Sequence, residues 1–495
     1  VALFALLVAL SLFVRTRSID ASFWIDEGLT VGISSFPFLE IPAVLRQDGS
    51  PPLYYLLLHV WMDAFGSSEA ATHALSVVFA LLAIPAALWA AWSLFGRRAG
   101  WTAAALAALN PFLTIYAQET RMYSLVILLG LVATAAFVHA FVFRRRRYVA
   151  VFSALLALLL YTHNWALFFA LGAIAALVVC ARETTEPRRI AIDGALAFGG
   201  AALVFAPWVP TLVYQALHTG APWSSPPSPL ELIGGFSAVL SGQGSLVAVL
   251  LAGGVGLGGV VRGPVTSERT AILATITLTL VTLFSGWLYS QFSPAWANRY
   301  LGVLVGPVLL LAAAGLPRAG RLGLVALVLV IFFWSGFRAG DEKSNVRDLA
   351  ATYERTLRPG DLIVSTQPEQ VPVLAYYFGY DKRYATPLGL VEDTRVMDWR
   401  DALPELERVQ VPGPVRPALS DLAPGRRLLL VWPLVRNEDA WDAPWTSLVR
   451  ERSFQWAATL ATDERFDRTQ EYVPPYTEEA DRVLRVVLYT KSRSG

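Results

Sequence analysis

The chain has 495 residues, of which 55% are hydrophobic and only 16% charged, and its formal net charge is +2. Soluble domains carry about a quarter charged residues, so this composition, with its mean hydropathy of +0.49, excludes an ordinary soluble protein and indicates a polytopic membrane protein. The near-neutral charge gives no sign of a nucleic-acid partner, and the single cysteine, Cys180, excludes an intrachain disulfide.

Eleven apolar runs follow one another through the first two thirds of the chain and predict about 11 transmembrane helices. They lie at roughly 1–14, 70–96, 99–116, 122–143, 148–161, 164–181, 190–209, 245–261, 270–289, 300–316 and 321–337. No convincing cleavage site follows the first run, so we interpret it as a retained span and not as a signal peptide. Residues 51–66 are also apolar, but this segment is short and begins with two prolines, so we interpret it as a helix in the outer interface.

Arginine clusters between the runs orient the predicted spans, because cytoplasmic loops are enriched in Lys and Arg. The clusters lie at 97–98, 144–147, 182–189, 262–269 and 318–321. If all of them are cytoplasmic, each intervening block is a two-helix hairpin and the loop 15–69 faces outward. We therefore predict a multi-pass protein of the plasma or inner membrane whose polar loops lie on the extracytoplasmic side.

The composition changes after residue 337. Residues 338–495 hold most of the acidic residues and no apolar run long enough to span a membrane. Within them, 361–366 and 427–432 predict buried strands, and 345–357 and 369–378 predict helices. The sequence thus predicts a polytopic α-helical membrane domain over 1–337 and an extracytoplasmic soluble α/β domain over 338–495.

Two adjacent acids, Asp26 and Glu27, follow Phe23-Trp24-Ile25 in the first external loop. Ionisable groups are scarce in the membrane-spanning part, and such groups mark functional sites by default. One carboxylate could act as a general base. Two alternatives stay open at this point: acids that begin a helix, or oxygen ligands of a hard divalent cation.

Two arginines at external span ends could bind a phosphate bidentately. Arg121 lies in Gln-Glu-Thr-Arg-Met-Tyr at 118–123, where Glu119 could orient it or contact a sugar hydroxyl. Arg299 begins the tenth apolar run. The alternative for both arginines is an interfacial anchor whose charged end reaches the headgroups.

Other polar residues of the external loops are less specific. His163, in Tyr-Thr-His-Asn at 161–164, is either a structural residue of a turn or a ligand-binding one. Tyr54 and Tyr55 begin the interfacial helix after Pro51-Pro52 and are predicted to shape the floor of a cavity.

Taken in order, these motifs resemble the GT-C glycosyltransferases, in particular the family 39 branch that includes protein O-mannosyltransferases and lipid A aminoarabinose transferases. The matching segments are Asp-Glu at 26–27, Pro-Pro-Leu-Tyr at 51–54, Gln-Glu-Thr-Arg-Met-Tyr at 118–123, Tyr-Thr-His at 161–163 and Arg-Tyr at 299–300. Relatives commonly have His before the two prolines, whereas Ser50 stands here, so a role for that position in metal or hydroxyl contact is not carried over.

The resemblance implies transfer of a sugar from a polyprenyl-phosphate carrier to a lipid, polysaccharide or protein acceptor at the outer face, with inversion at the anomeric carbon. Asp26 would then be the base, and Glu27 would position the acceptor or tune Asp26. The donor's phosphate and sugar would be held by Glu119, Arg121, Tyr123, His163, Arg299 and Tyr300. No cofactor is required, although a divalent cation held by Asp26 and Glu119 stays open.

Two other classes of function remain as alternatives. A flippase or transporter of lipid-linked sugars would place ionisable groups near the bilayer midplane, on broken helices and often in repeated halves. A cell-envelope scaffold or sensor would bind glycan or protein through the C-terminal domain, and Asp26 would be dispensable.

Overall fold

The computed structural model describes residues 1–337, 342–435, 437–474 and 482–492. Its first part is built of helices. They are α1 (Ala2–Thr16), α2 (Ile25–Ser34), α3 (Ile41–Asp48), α4 (Leu53–Phe65), α5 (Glu69–Phe95), α6 (Arg97–Leu109), α7 (Pro111–Ala117), α8 (Tyr123–Phe137, continued by Val138–Val142), α9 (Arg147–Thr162), α10 (Ala166–Arg182), α11 (Pro187–Phe205), α12 (Val209–His218), α13 (Pro229–Val239), α14 (Gln243–Arg262), α15 (Ser267–Ser290), α16 (Gly302–Gly315) and α17 (Arg321–Ser335).

The apolar runs of the sequence all lie in helices, which confirms a multi-pass helical membrane protein. Within the described ranges, six helical segments are long and apolar enough to cross a membrane: Glu69–Phe95, Tyr123–Val142, Pro187–His218, Gln243–Arg262, Ser267–Ser290 and Asn298–Ala319. The remaining runs form shorter apolar helices, including α1, α9, α10 and α17. The number of eleven spans therefore stays a prediction.

One predicted span, 99–116, is divided in two at Asn110. The Asn110 side chain accepts a hydrogen bond from the backbone N–H of Leu113 at 2.9 Å, and Pro111 occupies the first position of α7. Asn as N-cap and Pro at the first helical position both favour a new helix start. Hydropathy alone did not show this break, because both pieces are apolar.

The C-terminal domain contains a mixed six-stranded sheet. Its strands are β1 (Leu362–Ser365), β2 (Arg383–Thr386), β3 (Gly389–Leu390), β4 (Arg427–Pro433), β5 (Phe466–Tyr472) and β6 (Leu484–Lys491), and its helices are α18 (Val346–Tyr353), α19 (Val371–Phe378), α20 (Ala402–Arg408), α21 (Arg416–Asp421) and α22 (Pro444–Thr462). The strand order is β3-β2-β1-β4-β6-β5, with β1 parallel to both β2 and β4. The two predicted strands are thus β1 and β4, and the two predicted helices are α18 and α19.

Helices cover both faces of this sheet. One face packs on α18 and α19, and its apolar cluster includes Phe23 and Val31 of the membrane domain. The other face packs on α21 and α22. Hydrophobic burial is the main driving force for such association, so the shared cluster fixes the C-terminal domain over the loop that contains α2.

The arginine clusters gather at one end of the helical bundle. Arg144 pairs with Glu186 at 2.7 Å, and Arg269 pairs with Glu183 at 2.6 Å. Arg97 and Arg98 line a cavity of about 460 Å³ with residues 316–327 of the α16–α17 connection and α17. The loops that the sequence predicts to be external lie with the C-terminal domain at the other ends of the same helices.

Candidate functional site

Three consecutive residues in the first turn of α2, Asp26, Glu27 and Gly28, face different parts of the structure. Asp26 and Glu27 are acids in the first turn of α2, a position that the helix dipole favours. Gly28 faces α19, and a Cβ atom there would lie 2.5 Å from the Val373 Cβ and 2.6 Å from its Cα. Only glycine allows α19 to approach so closely, so the C-terminal domain rests directly beside the two acids.

Asp26 lies between two arginines. Its Oδ2 is 3.9 Å from Nη2 of Arg121 and 3.7 Å from Nη2 of Arg299, and its side chain is 20% exposed. In the described part of the chain, its carboxylate accepts no hydrogen bond, since both arginines lie beyond that distance. The carboxylate is therefore charge-compensated, and its oxygens are not engaged by hydrogen bonds from the described residues.

The two arginines are held differently. Arg121 Nη1 donates to Thr30 Oγ1 at 2.7 Å and lies 3.4 Å from the Tyr55 hydroxyl. The Arg299 guanidinium instead lies over the Trp223 ring at 5.0 Å and the Tyr300 ring at 5.5 Å. The Nε atoms of both arginines are buried without a hydrogen-bond partner among the described residues, but Arg299, unlike Arg121, donates no hydrogen bond to these residues through its Nη atoms either. Its unused donors make Arg299 the better-placed group to bind an anion.

An aromatic wall continues the site from Arg299. The rings of His163 and Tyr300 are 4.8 Å apart, and Tyr123 lies 5.9 Å from His163. The Tyr123 hydroxyl is buried and unpaired within the described ranges. These flat rings form a surface on which a sugar could stack, and their unpaired polar atoms could form hydrogen bonds with it.

His163 is a neutral donor in this wall. Burial, assisted by the charges of Arg121 and Arg299, lowers the pKa of His163 from 6.5 to about 3. Its Nδ1 accepts the backbone N–H of Trp165 at 3.1 Å, so the proton of the neutral ring is on Nε2. The Nε2–H group can donate to a ligand oxygen without adding charge to the site.

Glu27 lies in a closed polar network beneath Asp26. Its side chain is fully buried, and Oε1 accepts from Lys343 Nζ at 2.7 Å and from the backbone N–H of Thr120 at 2.7 Å. The Nε2 of His73 lies 2.6 Å from the same oxygen, and His73 Nδ1 donates to the Ile19 carbonyl. The Glu27 carboxylate thus makes its hydrogen bonds within the protein and links α2 to the residues around it.

Glu119 turns toward the C-terminal domain. It is 4% exposed, and its Oε2 has no hydrogen-bond partner in the described residues. Burial raises its pKa above the usual range, although the charge of Arg482 opposes this shift. The Arg482 Nη1 atom lies 3.9 Å from Glu119 Oε1, and its guanidinium lies 3.7 Å from the centre of the Trp24 ring.

Helix α4, which the sequence predicts to lie in the membrane interface, forms one side of the site. Tyr54 and Tyr55 are fully buried; the Tyr54 hydroxyl lies 3.0 Å from Ser76 Oγ, and the Tyr55 hydroxyl donates to Asp48 at 3.4 Å. Burial raises the pKa of Asp48. Tyr55 thus connects Asp48 to Arg121. Asp48 is therefore a further carboxylate near the two arginines, Arg121 and Arg299.

The geometry around Asp26 differs from that of a metal site. Among the described residues, no group of three or more His, Cys, Asp or Glu side chains is placed to hold a metal ion. Asp26 is flanked by two guanidinium groups, and Glu119 faces a third. These positive charges would compete with a divalent cation for the carboxylates of Asp26 and Glu119.

Sequence patterns missed several residues that complete the site. Lys343 and Arg482 come from the C-terminal domain, and His73 and Trp223 from the membrane domain. Lys343 offered one signal, because it is one of only three lysines in the chain. The others have no local signal, because their contacts join residues that are far apart along the chain.

Comparison with solved structures identifies the fold. ArnT from Cupriavidus metallidurans bound to undecaprenyl phosphate superposes with a TM-score of 0.61 at 15% identity, over 99% of this chain and 98% of that one. Archaeoglobus fulgidus oligosaccharyltransferase tethered with an acceptor peptide gives 0.51 at 12% identity, over 76% and 63% of the two chains. The arabinofuranosyltransferase AftD from Mycobacteria gives 0.51 at 15% identity, over 100% of this chain and 41% of that one.

No family model matches the sequence, and no curated protein matches it significantly. The similarity in structure nevertheless covers almost the whole chain, including the C-terminal domain. The chain therefore has the GT-C fold, as its motifs predicted.

Proposed function

We propose that this protein is an inverting glycosyltransferase that moves a sugar from a polyprenyl-phosphate carrier to an acceptor at the outer face of the membrane. The observation that carries the proposal is the placement of Asp26, with no hydrogen bond among the described residues, at 3.7 Å from Arg299 and 3.9 Å from Arg121. A base and a pair of phosphate-binding cations meet there in a GT-C fold. ArnT, which shares the fold, was solved with undecaprenyl phosphate bound.

The reaction needs little more than these groups. Asp26 takes the proton of the acceptor hydroxyl as its oxygen bonds to the anomeric carbon. The bond from that carbon to the phosphate oxygen breaks, and the lipid phosphate leaves with the electron pair. Arg299 and Arg121 stabilise the negative charge that develops on the phosphate. Attack from the side opposite the phosphate inverts the anomeric carbon.

The other site residues have supporting roles in this proposal. His163 donates its Nε2–H to the sugar or phosphate, Tyr123 and Tyr300 line the sugar, and Glu27 positions α2. No metal is needed, because the arginines supply the positive charge that a cation would otherwise bring. The gathering of arginine clusters at the opposite end of the bundle supports an extracytoplasmic site in a plasma or inner membrane.

The direct test is an assay on the purified protein in lipid nanodiscs. It would be given radiolabelled polyprenyl-phosphate mannose, arabinose and galacturonic acid in turn, with a membrane lipid and glycan extract as the source of acceptors. We expect transfer from one donor, with the product's anomeric configuration opposite to that of the donor. Retention of configuration would contradict the direct displacement by Asp26.

Absence of transfer from every donor would favour one of the two alternatives. Movement of the lipid-linked sugar across proteoliposome membranes would then identify a flippase. Binding of glycan without transfer or movement would identify a scaffold.

A second prediction concerns the phosphate. We expect Arg299→Gln to weaken binding of undecaprenyl phosphate about 10- to 100-fold, because hydrogen bonds to a charged group contribute about 1.5–3 kcal/mol. Arg98→Gln is the matched control, since Arg98 is exposed at the other end of the bundle. Equal affinities of the two variants, measured by native mass spectrometry in nanodiscs, would exclude Arg299 from the phosphate site.

A further inference from the structure

The guanidinium of Arg482 occupies the boundary between the C-terminal domain and the candidate site. Its Cζ lies 3.7 Å from the centre of the Trp24 ring, and the same ring lies 5.6 Å from the Arg299 guanidinium. Trp24 directly precedes α2, which contains Asp26. Two arginines from different domains therefore share one indole beside the candidate base.

Within the described ranges, the hydrogen-bond donors of Arg482 are unused. Its nearest acidic atom, Glu119 Oε1, is 3.9 Å away, and none of the described residues accepts a hydrogen bond from it. The side chain is 40% exposed, whereas Glu119 is almost fully buried. Stacking on an indole orients the guanidinium plane and leaves its edge donors available.

A purely structural role explains this arrangement less well. A guanidinium whose task is to neutralise Glu119 would form the bidentate pair that Arg and carboxylate groups favour. Here Glu119 Oε2 is buried without a partner in the described chain, although Arg482 lies close by. Arg482 and Glu119 thus attract each other by charge but form no hydrogen-bonded ion pair.

We propose that Arg482 is an anion-binding residue through which the C-terminal domain takes part in substrate binding at this site. Its ligand is a phosphate or carboxylate group, belonging either to the carrier lipid or to an anionic acceptor. Glu119 holds the guanidinium near the site by charge, and Trp24 fixes its plane. The proposal rests on the proposed function for the identity of the substrates, but not for the binding of the anion.

The chain offers a closely matched control. Arg485 lies three residues further along, in β6, and its guanidinium also stacks on an indole, that of Trp432 at 4.5 Å. Arg485 pairs with Glu471 at 3.3 Å and is 32% exposed. Replacing either arginine removes one charge and one stacking contact from the same domain, but only Arg482 borders the candidate site.

The experiment compares wild type, Arg482→Gln, Arg482→Lys and Arg485→Gln as full-length proteins in nanodiscs. One arm measures binding of undecaprenyl phosphate, and the other measures half-saturation of transfer by the membrane lipid and glycan extract. We expect Arg482→Gln to weaken one of these about tenfold, with Arg482→Lys intermediate and Arg485→Gln like wild type. The arm that changes identifies the source of the anion.

Two outcomes would overturn the proposal. One is that neither quantity changes in Arg482→Gln, and the other is that Arg485→Gln weakens binding equally, which would indicate a general charge effect. The binding arm needs no turnover. A failure of the proposed function would therefore appear as a wild-type protein without transfer, whatever Arg482 does to lipid binding.

Discussion

Replacement of Asp26 by Asn is expected to lower the turnover number about 10²- to 10⁴-fold, which is the usual contribution of a general base. Asn keeps the size and polarity of Asp but cannot accept the acceptor's proton. Because the Asp26 carboxylate makes no hydrogen bond to the described residues and is 20% exposed, the substitution breaks no hydrogen bond, although Arg121 and Arg299 lose the negative charge between them. The protein should therefore still fold, with a somewhat lower midpoint of heat denaturation than the wild type.

Lipid binding should respond in the opposite direction to turnover. Asp26 lies within 4 Å of both arginines, and its negative charge competes with a phosphate for them. Asp26→Asn should bind undecaprenyl phosphate at least as tightly as the wild type. Loss of turnover with retained or improved binding would separate the base from the phosphate site.

Asp63→Asn is the control for this experiment. Asp63 is an exposed acid on α4, and its only partner among the described residues is His59 at 3.5 Å. It should leave turnover and lipid binding unchanged. If Asp26→Asn retained turnover within threefold of the wild type, another group would have to be the base, and the proposed mechanism would be wrong.

The sequence predicted the membrane domain well because its signals are local. Apolar runs specify helices whether or not they are packed, and the paired acids at 26–27 and the arginines at 121 and 299 could be recognised from a few neighbouring residues. The break at Asn110 was missed although it has a local cause, because a hydropathy average over many residues does not detect a single helix-capping residue. Its N-cap and the following proline are signals that a search for helix starts would find.

The contacts of Glu27 and Arg482 could not be predicted from local patterns. In the sequence Glu27 is simply the acid next to Asp26. Only the fold shows that the two side chains point in different directions from α2. Its partners are 46, 93 and 316 positions away along the chain. Contacts at such separations arise from packing, which periodicity does not encode.

The second large effect is expected at the buried pair formed by Glu27 and Lys343. Lys343→Met removes the ammonium group that contacts both oxygens of Glu27, at 2.7 and 2.8 Å. Removing one partner of a buried ion pair leaves an uncompensated charge and costs about 3–5 kcal/mol. We expect a clearly lower midpoint of heat denaturation in detergent, with protease sensitivity increased where the C-terminal domain joins the membrane domain.

The double variant Glu27→Gln/Lys343→Met tests the cause of this loss. With both groups replaced, no buried charge is left without a partner. The double variant should therefore be more stable than the sum of the two single losses predicts. Lys382→Met is the control, because Lys382 is about as buried as Lys343 but pairs with the half-exposed Asp381 and not with a buried acid, and pairs with a solvated partner contribute only about 0–1 kcal/mol. Equal destabilisation by Lys382→Met would show that the loss is not specific to the buried pair.

Lowering the pH should likewise destabilise the wild type, because protonation of Glu27 removes its charge from the pair with Lys343. Burial alone would raise the pKa of Glu27, but Lys343 and His73 outweigh it and lower the pKa from 4.5 to about 2. A carboxyl whose pKa is lower in the folded state stabilises the fold above its unfolded pKa, and this contribution disappears as the pH falls from about 4.5 toward 2. Lys343→Met removes the positive charge that lowers the pKa of Glu27 most, so the stability of this variant should depend less on pH across that window. If the variant kept the wild-type dependence there, Lys343 would not be the group that holds Glu27 ionised beside the candidate base.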